Sequence, residues 1–185
     1  MIRLHRYNST FNRELYTTLL VDNWDLISTV TIDSLLFERK LENVTEGLTG
    51  ECRNIIIKQI RSDAFVLIDY MLALKTEINP SDNYRKSVIK NVGKFIKFCR
   101  LSTDKPLKEL ERDDVLAYLD SLRKSEGSDS MHKWIGTYNL HRVHLLRFFK
   151  WLHSPDIEQH KRPKPSVVDN IPQLRRKRKI DIQAE

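Results

Sequence analysis

The chain has 185 residues, of which 40% are hydrophobic and 31% are charged, and it carries a formal net charge of +7. This composition excludes an intrinsically disordered protein, and the lack of any run of about 18 apolar residues excludes a transmembrane helix. The N-terminus has no apolar signal-peptide stretch, and the two cysteines, Cys52 and Cys99, have no CxxC spacing. We therefore expect a cytoplasmic protein with reduced thiols, no metal and no cofactor.

The basic residues are concentrated in the second half of the chain. Residues 1–80 carry a net charge of −2, whereas residues 81–185 carry +9. A strongly basic region favours a polyanionic partner. Composition leaves two such partners open, nucleic acid first and an anionic membrane second.

The first third of the chain already shows the helical pattern that continues throughout. There are only five glycines, and strict alternation of apolar and polar residues is absent, so we expect an all-α fold. Residues 1–50 are interpreted as a partly helical N-terminal extension, with candidate helices in STFNRELYTTLL and TIDSLLFERKLENV before a break at EGLTGE. One long helix is predicted over residues 53–76.

A second helix is predicted over residues 81–100, because Pro80 stops the first and Ser81 or Asp82 can cap the next. On its polar side, at 100° per residue, a lysine stripe occupies an arc of roughly 80°; its members are Lys86, Lys90, Lys94 and Lys97. Solvated helix faces usually mix Glu with Lys, and this one does not. We interpret the stripe as a phosphate-binding surface, with an ordinary solvated face as the alternative.

A short helix is predicted over residues 112–124. Asp113 and Asp114 lie in its first turn and Arg123 and Lys124 in its last, as the helix dipole favours, and Gly127 is expected to end the segment. The acidic start makes this helix a poor candidate for contact with a polyanion.

The helix predicted over residues 130–153 has an apolar side and a polar side. The apolar side, expected to close the bundle, contains Trp134, Ile135, Tyr138, Leu145, Phe148, Phe149 and Leu152. The outward side is predicted to contain Lys133, Thr137, Leu140, His144, Arg147 and Trp151, flanked by Asn139 and Lys150. Thr, Asn, His and Arg side chains can hydrogen-bond base edges and phosphates, so this side is a candidate nucleic-acid surface.

A basic cluster, RRKRK, follows at residues 175–179. We interpret Arg175, Arg176 and Lys177 as phosphate contacts, with a solubilising tail as the alternative. We predict no metal site at the histidines of this region, because no cysteine or pair of acidic residues completes a set of metal ligands there. These histidines are His141, His144, His153 and His160.

In this order, the motifs resemble the N-terminal core-binding (SAM-like) domain of tyrosine recombinases, the phage-integrase family, most closely its archaeal members. LKELERDDVLAYL at 107–119 is similar to the family's second motif, although its usual Thr cap is replaced near Arg112. The family's third motif is matched by Thr137, Asn139, Leu145, Phe148, Phe149, Trp151 and Leu152. HKRPKPSVVDNIPQLRRKRK at 160–179 resembles the interdomain linker, and the resemblance covers about residues 51–179.

The resemblance implies a DNA-binding half without catalysis. The family's Arg, Lys, His-x-x-Arg and Tyr catalytic groups lie in a C-terminal domain that this sequence does not contain, and HRVH at 141–144 has the wrong spacing to replace it. We therefore expect no enzymatic activity, and a nucleoid-associated protein that binds duplex DNA with a catalytic recombinase domain or other protomers and no membrane.

These inferences predict a four-helix core-binding domain at residues 51–155 and a basic linker or tail at 156–185. The helices at 81–100 and 130–153 are expected to lie against duplex DNA, with the linker along its backbone. Two alternatives remain open: an integrase-derived helical module that docks an acidic protein partner, and an RNA-binding module, for which no aromatic stacking platform is evident.

Overall fold

A computed structural model describes residues 24–175, except residues 60, 104, 126, 127 and 130, and most side chains from residue 34 onward. This part of the chain contains six α-helices, two short 3₁₀ helices and no β-strand, which confirms the all-α prediction. The chain divides into two compact units, Met1–Glu42 and Asn43–Glu185. The helix predicted in STFNRELYTTLL lies outside the described residues.

The first helix, α1, spans Trp24–Thr45 and includes the segment TIDSLLFERKLENV, as predicted. Its last residues, from Asn43, belong to the second unit. The following break is confirmed as well: Leu48 N donates to Thr45 O at 2.9 Å, and Gly47 has a φ of +71°. Glycine adopts this left-handed conformation without the penalty that a Cβ atom imposes, so it suits a helix C-terminus.

The single long helix predicted over residues 53–76 is wrong, because the segment forms two helices. Helix α2 spans Gly50–Ile57 and α3 spans Arg61–Ile78. The β-branched run Ile55–Ile57 has only moderate helix propensity. In addition, α2 packs so closely on the helix Asp82–Ser102 that a Cβ atom on Gly93 would lie 2.6 Å from Ile55 Cγ2. This close tertiary packing determines the direction of α2, and the helical periodicity of the sequence does not reveal it.

Helix α4 spans Asp82–Ser102, and its N-cap is Ser81, whose Oγ accepts from Tyr84 N at 3.4 Å. Helix α5 spans Arg112–Ser121, ending three residues before its predicted end. Helix α6 spans Trp134–His153 and begins four residues later than predicted. The late start has a local cause, because His132 has a φ of +47° and Asp129 Oδ2 accepts from Trp134 N at 2.9 Å.

Aromatic side chains from four helices fill the core of the second unit. Phe95 of α4 makes edge contacts with Tyr118 of α5 at 5.2 Å and with Phe149 of α6 at 5.6 Å between ring centroids. Tyr70 of α3 contacts Phe148 of α6 at 5.2 Å. Offset and edge-to-face aromatic pairs of this kind add to the stabilisation from buried area. The predicted apolar side of α6 therefore closes the bundle.

The segment after α6 packs back onto the bundle. Arg162 is buried, pairs with Glu77 of α3 through both terminal nitrogens, and donates to Ser154 O at 3.0 Å. A 3₁₀ helix, Ser166–Val168, then places Val167, Val168 and Ile171 in the core beside α5 and α6. The compact second unit thus extends beyond the predicted boundaries at residues 51 and 155, and much of the predicted linker is part of the folded domain.

Candidate nucleic-acid interface

The lysine stripe lies on the surface side of α4, opposite the arc that enters the core. Lys94 and Lys97 are exposed, and Lys86 and Lys90 are half-buried. Lys90 Nζ pairs with Glu51 Oε2 of α2 at 2.9 Å, and this interaction raises the pKa of Lys90. In the part of the chain that the structure describes, Lys86, Lys94 and Lys97 form no ion pair. Three of the four lysines can therefore meet an anion without losing a carboxylate partner.

A second surface, the α6 strip, consists of Leu140, Val143, Arg147 and Lys150. At 100° per residue these four residues occupy an arc of roughly 80°. Leu140 and Val143 are 46% and 38% exposed, Arg147 is exposed, and Lys150 is half-buried. The strip is therefore apolar towards the start of α6 and basic towards its end.

The lysine stripe and the α6 strip adjoin each other across the contact between α4 and α6. Arg147 donates to the Tyr84 hydroxyl, and its guanidinium lies 5.7 Å from the centroid of the Tyr84 ring. Further along, Asn91 Nδ2 donates to His144 Nδ1 at 2.9 Å. Helix α4 thus runs against α6 in the opposite direction, with Tyr84 beside the end of α6. The two basic surfaces therefore lie on helices that pack against each other, and Tyr84 lies at the contact between them.

The prediction that His144 faces outward is wrong. His144 is only 2% exposed, and it lies in a buried polar network with Asn91, Tyr118 and His141. The Tyr118 hydroxyl is 2.7 Å from His141 Nδ1 and 3.5 Å from Asn91 O. Trp151, also predicted outward, is buried as well. Both residues lie near the centre of the predicted outward arc, so the spacing of residues in α6 does not reveal their burial. The packing of α4 and α3 against α6 buries them.

The two buried histidines carry no charge at neutral pH. Burial lowers the pKa of His141 to about 4, with smaller contributions from Lys94 and from the protonated form of His144. Burial likewise lowers the pKa of His144 to about 4, with a smaller contribution from Arg147. Because an Asn amide nitrogen can only donate, the contact with Asn91 requires an unprotonated Nδ1 on His144. His144 therefore joins α6 to α4 as a buried, uncharged side chain.

Asn139 holds the C-terminal segment. Its Nδ2 donates to Leu174 O at 2.8 Å, and its Oδ1 accepts from Leu174 N at 3.1 Å. Arg142 Nε donates to Ile171 O at 2.8 Å, and Arg112 Nε of α5 donates to Asp169 O at 2.9 Å. We call these three side chains the tail clamp. Asn139 was predicted to contact nucleic acid, but both of its amide atoms are already used within the protein.

The remaining predicted site residues fall into two groups. Lys133, Thr137 and Arg175 are exposed, and Arg175 directly follows the residue that Asn139 holds. Arg176 and Lys177 lie outside the described residues. The tail clamp itself was missed from the sequence, since no local pattern reveals that Arg112 or Arg142 binds backbone carbonyls some 30 to 60 residues further along.

Among the described residues, no group of three or more His, Cys, Asp or Glu side chains is arranged to hold a metal ion. The helices described are all too short or too polar to cross a lipid bilayer. No protein-family model matches this chain, and neither a curated protein nor a solved structure shows significant similarity to it.

Proposed function

We propose that the second unit binds duplex DNA through the face formed by the lysine stripe and the α6 strip. One observation carries the proposal: Lys86, Lys94, Lys97, Arg147 and Lys150 lie on two helices that pack against each other, and they form no ion pair with any described residue. Clustered, unneutralised cations on adjacent helices are the arrangement that phosphate backbones attract. Glu51, which pairs with Lys90, is the acidic residue that borders this face.

The two surfaces suit different parts of a duplex. Lysines are point charges that neutralise phosphates, so the stripe on α4 supplies affinity and register rather than sequence preference. The exposed apolar pair Leu140 and Val143 is suited to the methyl groups that thymine presents in the major groove, and Thr137 can hydrogen-bond a base edge. In this proposal α6 approaches the groove while α4 lies along the backbone.

The wider role that we propose follows from the motif resemblance described above. The domain would act as the core-binding half of a tyrosine recombinase or integrase, in site-specific recombination or DNA integration, beside a catalytic domain or other protomers. This chain would bind DNA in the nucleoid without breaking strands. Incubation with a nicked suicide duplex should then leave no covalent protein–DNA adduct on a denaturing gel.

A second candidate, docking of a protein partner, is favoured by the same exposed apolar pair. Leu140 and Val143 would then anchor a hydrophobic contact, with the surrounding cations meeting an acidic rim. Salt dependence separates the two functions, because phosphate binding releases counterions whereas apolar docking does not.

The test is a titration of a labelled duplex by fluorescence anisotropy at several salt concentrations. We expect a steep loss of affinity with salt. Replacement of Lys86, Lys94 and Lys97 by Gln should reduce the slope of log K against log salt by about 2.7, or about 0.9 for each phosphate that is no longer neutralised. Lys90 is left in place because Glu51 already neutralises it.

The matched control replaces three lysines elsewhere on the second unit, the exposed Lys108, Lys124 and Lys161, and so removes the same total charge. This control should keep most of the wild-type affinity and slope. Equal weakening by both triple variants would show that net charge, not this face, drives binding. A wild-type protein that does not bind duplex DNA even at low salt, or that prefers duplex RNA in competition, would refute the proposal.

A further inference from the structure

A cavity of about 300 Å³ lies beside the end of α6 and shares Arg147 and Lys150 with the α6 strip. Its walls come from α3, α6 and the segment that follows α6. Leu74 and Leu146 contribute apolar surface, and Arg147, Lys150 and Arg162 bring three cationic groups to it. Tyr70 of α3 also lines the cavity. A concave site with partly apolar walls and a few converging polar groups is a common form of a small-ligand site.

The Tyr70 hydroxyl is a buried donor without a partner. Tyr70 is only 1% exposed, and its ring is held by Phe148 and Trp151, each 5.2 Å away between centroids. The hydroxyl forms no hydrogen bond with any described residue. Burial raises the pKa of Tyr70, so the hydroxyl keeps its proton. Nearly all buried polar groups in proteins are hydrogen-bonded, and leaving one unpaired is unfavourable.

The three cations that line the cavity differ in whether they are already paired with an acidic residue of the protein. Arg162 is committed to the protein, because it pairs with Glu77 and donates to Ser154 O and Pro155 O. Arg147 and Lys150 form no ion pair with any residue that the structure describes. Arg147 and Arg162 line the same cavity as Tyr70, and their charges lower the pKa of Tyr70 against the larger effect of burial. The cavity thus combines an unused donor with two unneutralised cations.

We propose that this cavity binds a phosphate group, with the Tyr70 hydroxyl donating to one phosphate oxygen and Arg147 and Lys150 neutralising the charge. Arg147 and Lys150 are long side chains at the surface, so their rearrangement admits an oxygen atom to the hydroxyl. The phosphate can come from a free phosphate or phosphorylated small molecule, or from the DNA backbone. The site itself does not depend on DNA binding, and only the second source rests on the function proposed above.

The test uses inorganic phosphate as the probe and the full chain as the protein. Thermal unfolding is followed as sodium phosphate replaces sodium chloride at constant ionic strength and pH. We expect wild-type Tm to rise with phosphate, because a ligand that binds only the folded state stabilises it. Tyr70→Phe should have a Tm in chloride that is unchanged or higher, since it removes the unpaired hydroxyl. Its apparent affinity for phosphate should fall about ten- to a hundredfold.

Tyr138→Phe is the matched control. Tyr138 is also fully buried with an unpaired hydroxyl, but it does not line the cavity. It should keep the wild-type response to phosphate, and Lys150→Gln should lose most of it. The proposal is overturned if phosphate stabilises wild type no more than chloride does, or if Tyr70→Phe and Tyr138→Phe respond alike.

Two further arms identify the source of the phosphate. If a DNA phosphate occupies the cavity, inorganic phosphate competes with labelled duplex and Tyr70→Phe binds DNA more weakly. If the ligand is a small phosphate, Tyr70→Phe binds DNA as wild type does. Either result, together with the thermal response, supports the site. If the protein binds phosphate but does not bind DNA, the proposed function is refuted and the phosphate site is still supported.

Discussion

The sequences of helices α4 and α6 both predict one apolar side and one basic side, but the polar side chains of the two helices lie in different environments. On α4 the four lysines lie on the surface side, and one of them pairs with a neighbouring acid. On α6 the polar side chains are divided. His141 and His144 are buried, Asn139 and Arg142 hold the C-terminal segment, and Arg147 and Lys150 remain on the surface strip.

The difference follows from side-chain chemistry. A lysine ammonium is strongly hydrated and costly to bury, so a stripe of lysines marks a surface reliably. Histidine and asparagine can be buried at little cost when they are neutral and hydrogen-bonded, as the contact of His144 with Asn91 illustrates. Polar residues other than lysine on a helix therefore indicate solvent or a partner only after their internal hydrogen bonds have been excluded.

The sharpest test of this contrast is acid unfolding. His141 and His144 have a pKa of about 4 in the folded protein, against about 6.5 when unfolded. Between these values the unfolded chain binds more protons, so stability should rise with pH and be lost as pH falls from 6.5 to 4. One pH unit of difference is worth about 1.4 kcal/mol, so the coupled pair should cost on the order of 5 kcal/mol by pH 4.

Urea unfolding at pH 7, 5.5 and 4.5 measures this loss. His144→Gln should flatten the pH dependence, whereas His160→Gln, which removes an exposed histidine, should leave it unchanged. Parallel pH profiles for wild type and His144→Gln would mean that the buried histidines do not govern acid stability.

The next largest effect should come from the apolar side of α6. Phe149 is fully buried against Phe95 and Phe148, so Phe149→Ala should destabilise the protein by about 3–5 kcal/mol. Val143→Ala, on the exposed strip of the same helix, should change stability by no more than about 0.5 kcal/mol. Chemical denaturation of both variants tests which side of α6 is buried. A larger loss of stability in Val143→Ala than in Phe149→Ala would show that the buried and exposed sides of α6 have been exchanged.

The tail clamp should have a smaller effect on stability. Asn139→Ala removes both hydrogen bonds to Leu174 and should cost about 1–2 kcal/mol. Thr137→Ala, two residues earlier and exposed, should be nearly neutral. Amide hydrogen exchange gives a local measurement, since Leu174 should lose protection in Asn139→Ala and keep it in Thr137→Ala. Unchanged protection in both variants would show that the clamp does not hold this segment.

The smallest effect on stability should come from the lysine stripe. Lys94→Ala should stay within about 0.5 kcal/mol of wild type while reducing the salt slope of DNA binding by about 0.9. Glu51→Gln sharpens the comparison, because it releases Lys90 from an ion pair that lies at the surface. Its DNA affinity should increase, as anisotropy can measure. Weaker binding by Glu51→Gln would exclude Lys90 from the DNA-binding face.

Local signals in the sequence account for much of the fold. The bounds of α4 followed from its apolar period and from Pro80 and Ser81, and the burial of Phe149 followed from its position on the α6 wheel. The division between α2 and α3 could not be predicted, because it depends on the close approach of Ile55 to Gly93.

The parts of the candidate site that could not be predicted from the sequence have a similar cause. The lysine stripe lies within one helix, so the spacing of its residues places it on a surface. The cavity and the tail clamp join side chains to groups far along the chain, such as Tyr70 to Arg162 and Asn139 to Leu174. The composition of the segment after residue 155, rich in Pro and Lys, also hides the apolar packing of Val167 and Ile171.

The two hydrogen bonds between Asn139 and Leu174 fix the position at which the basic run after Leu174 begins. Arg175, which follows Leu174 directly, is tethered one residue from this fixed point on α6. Such a tether gives its charge an effective concentration on the order of millimolar or higher around whatever the α6 strip binds. A neutral spacer inserted between Leu174 and Arg175 would dilute that charge without altering any interaction within the folded domain.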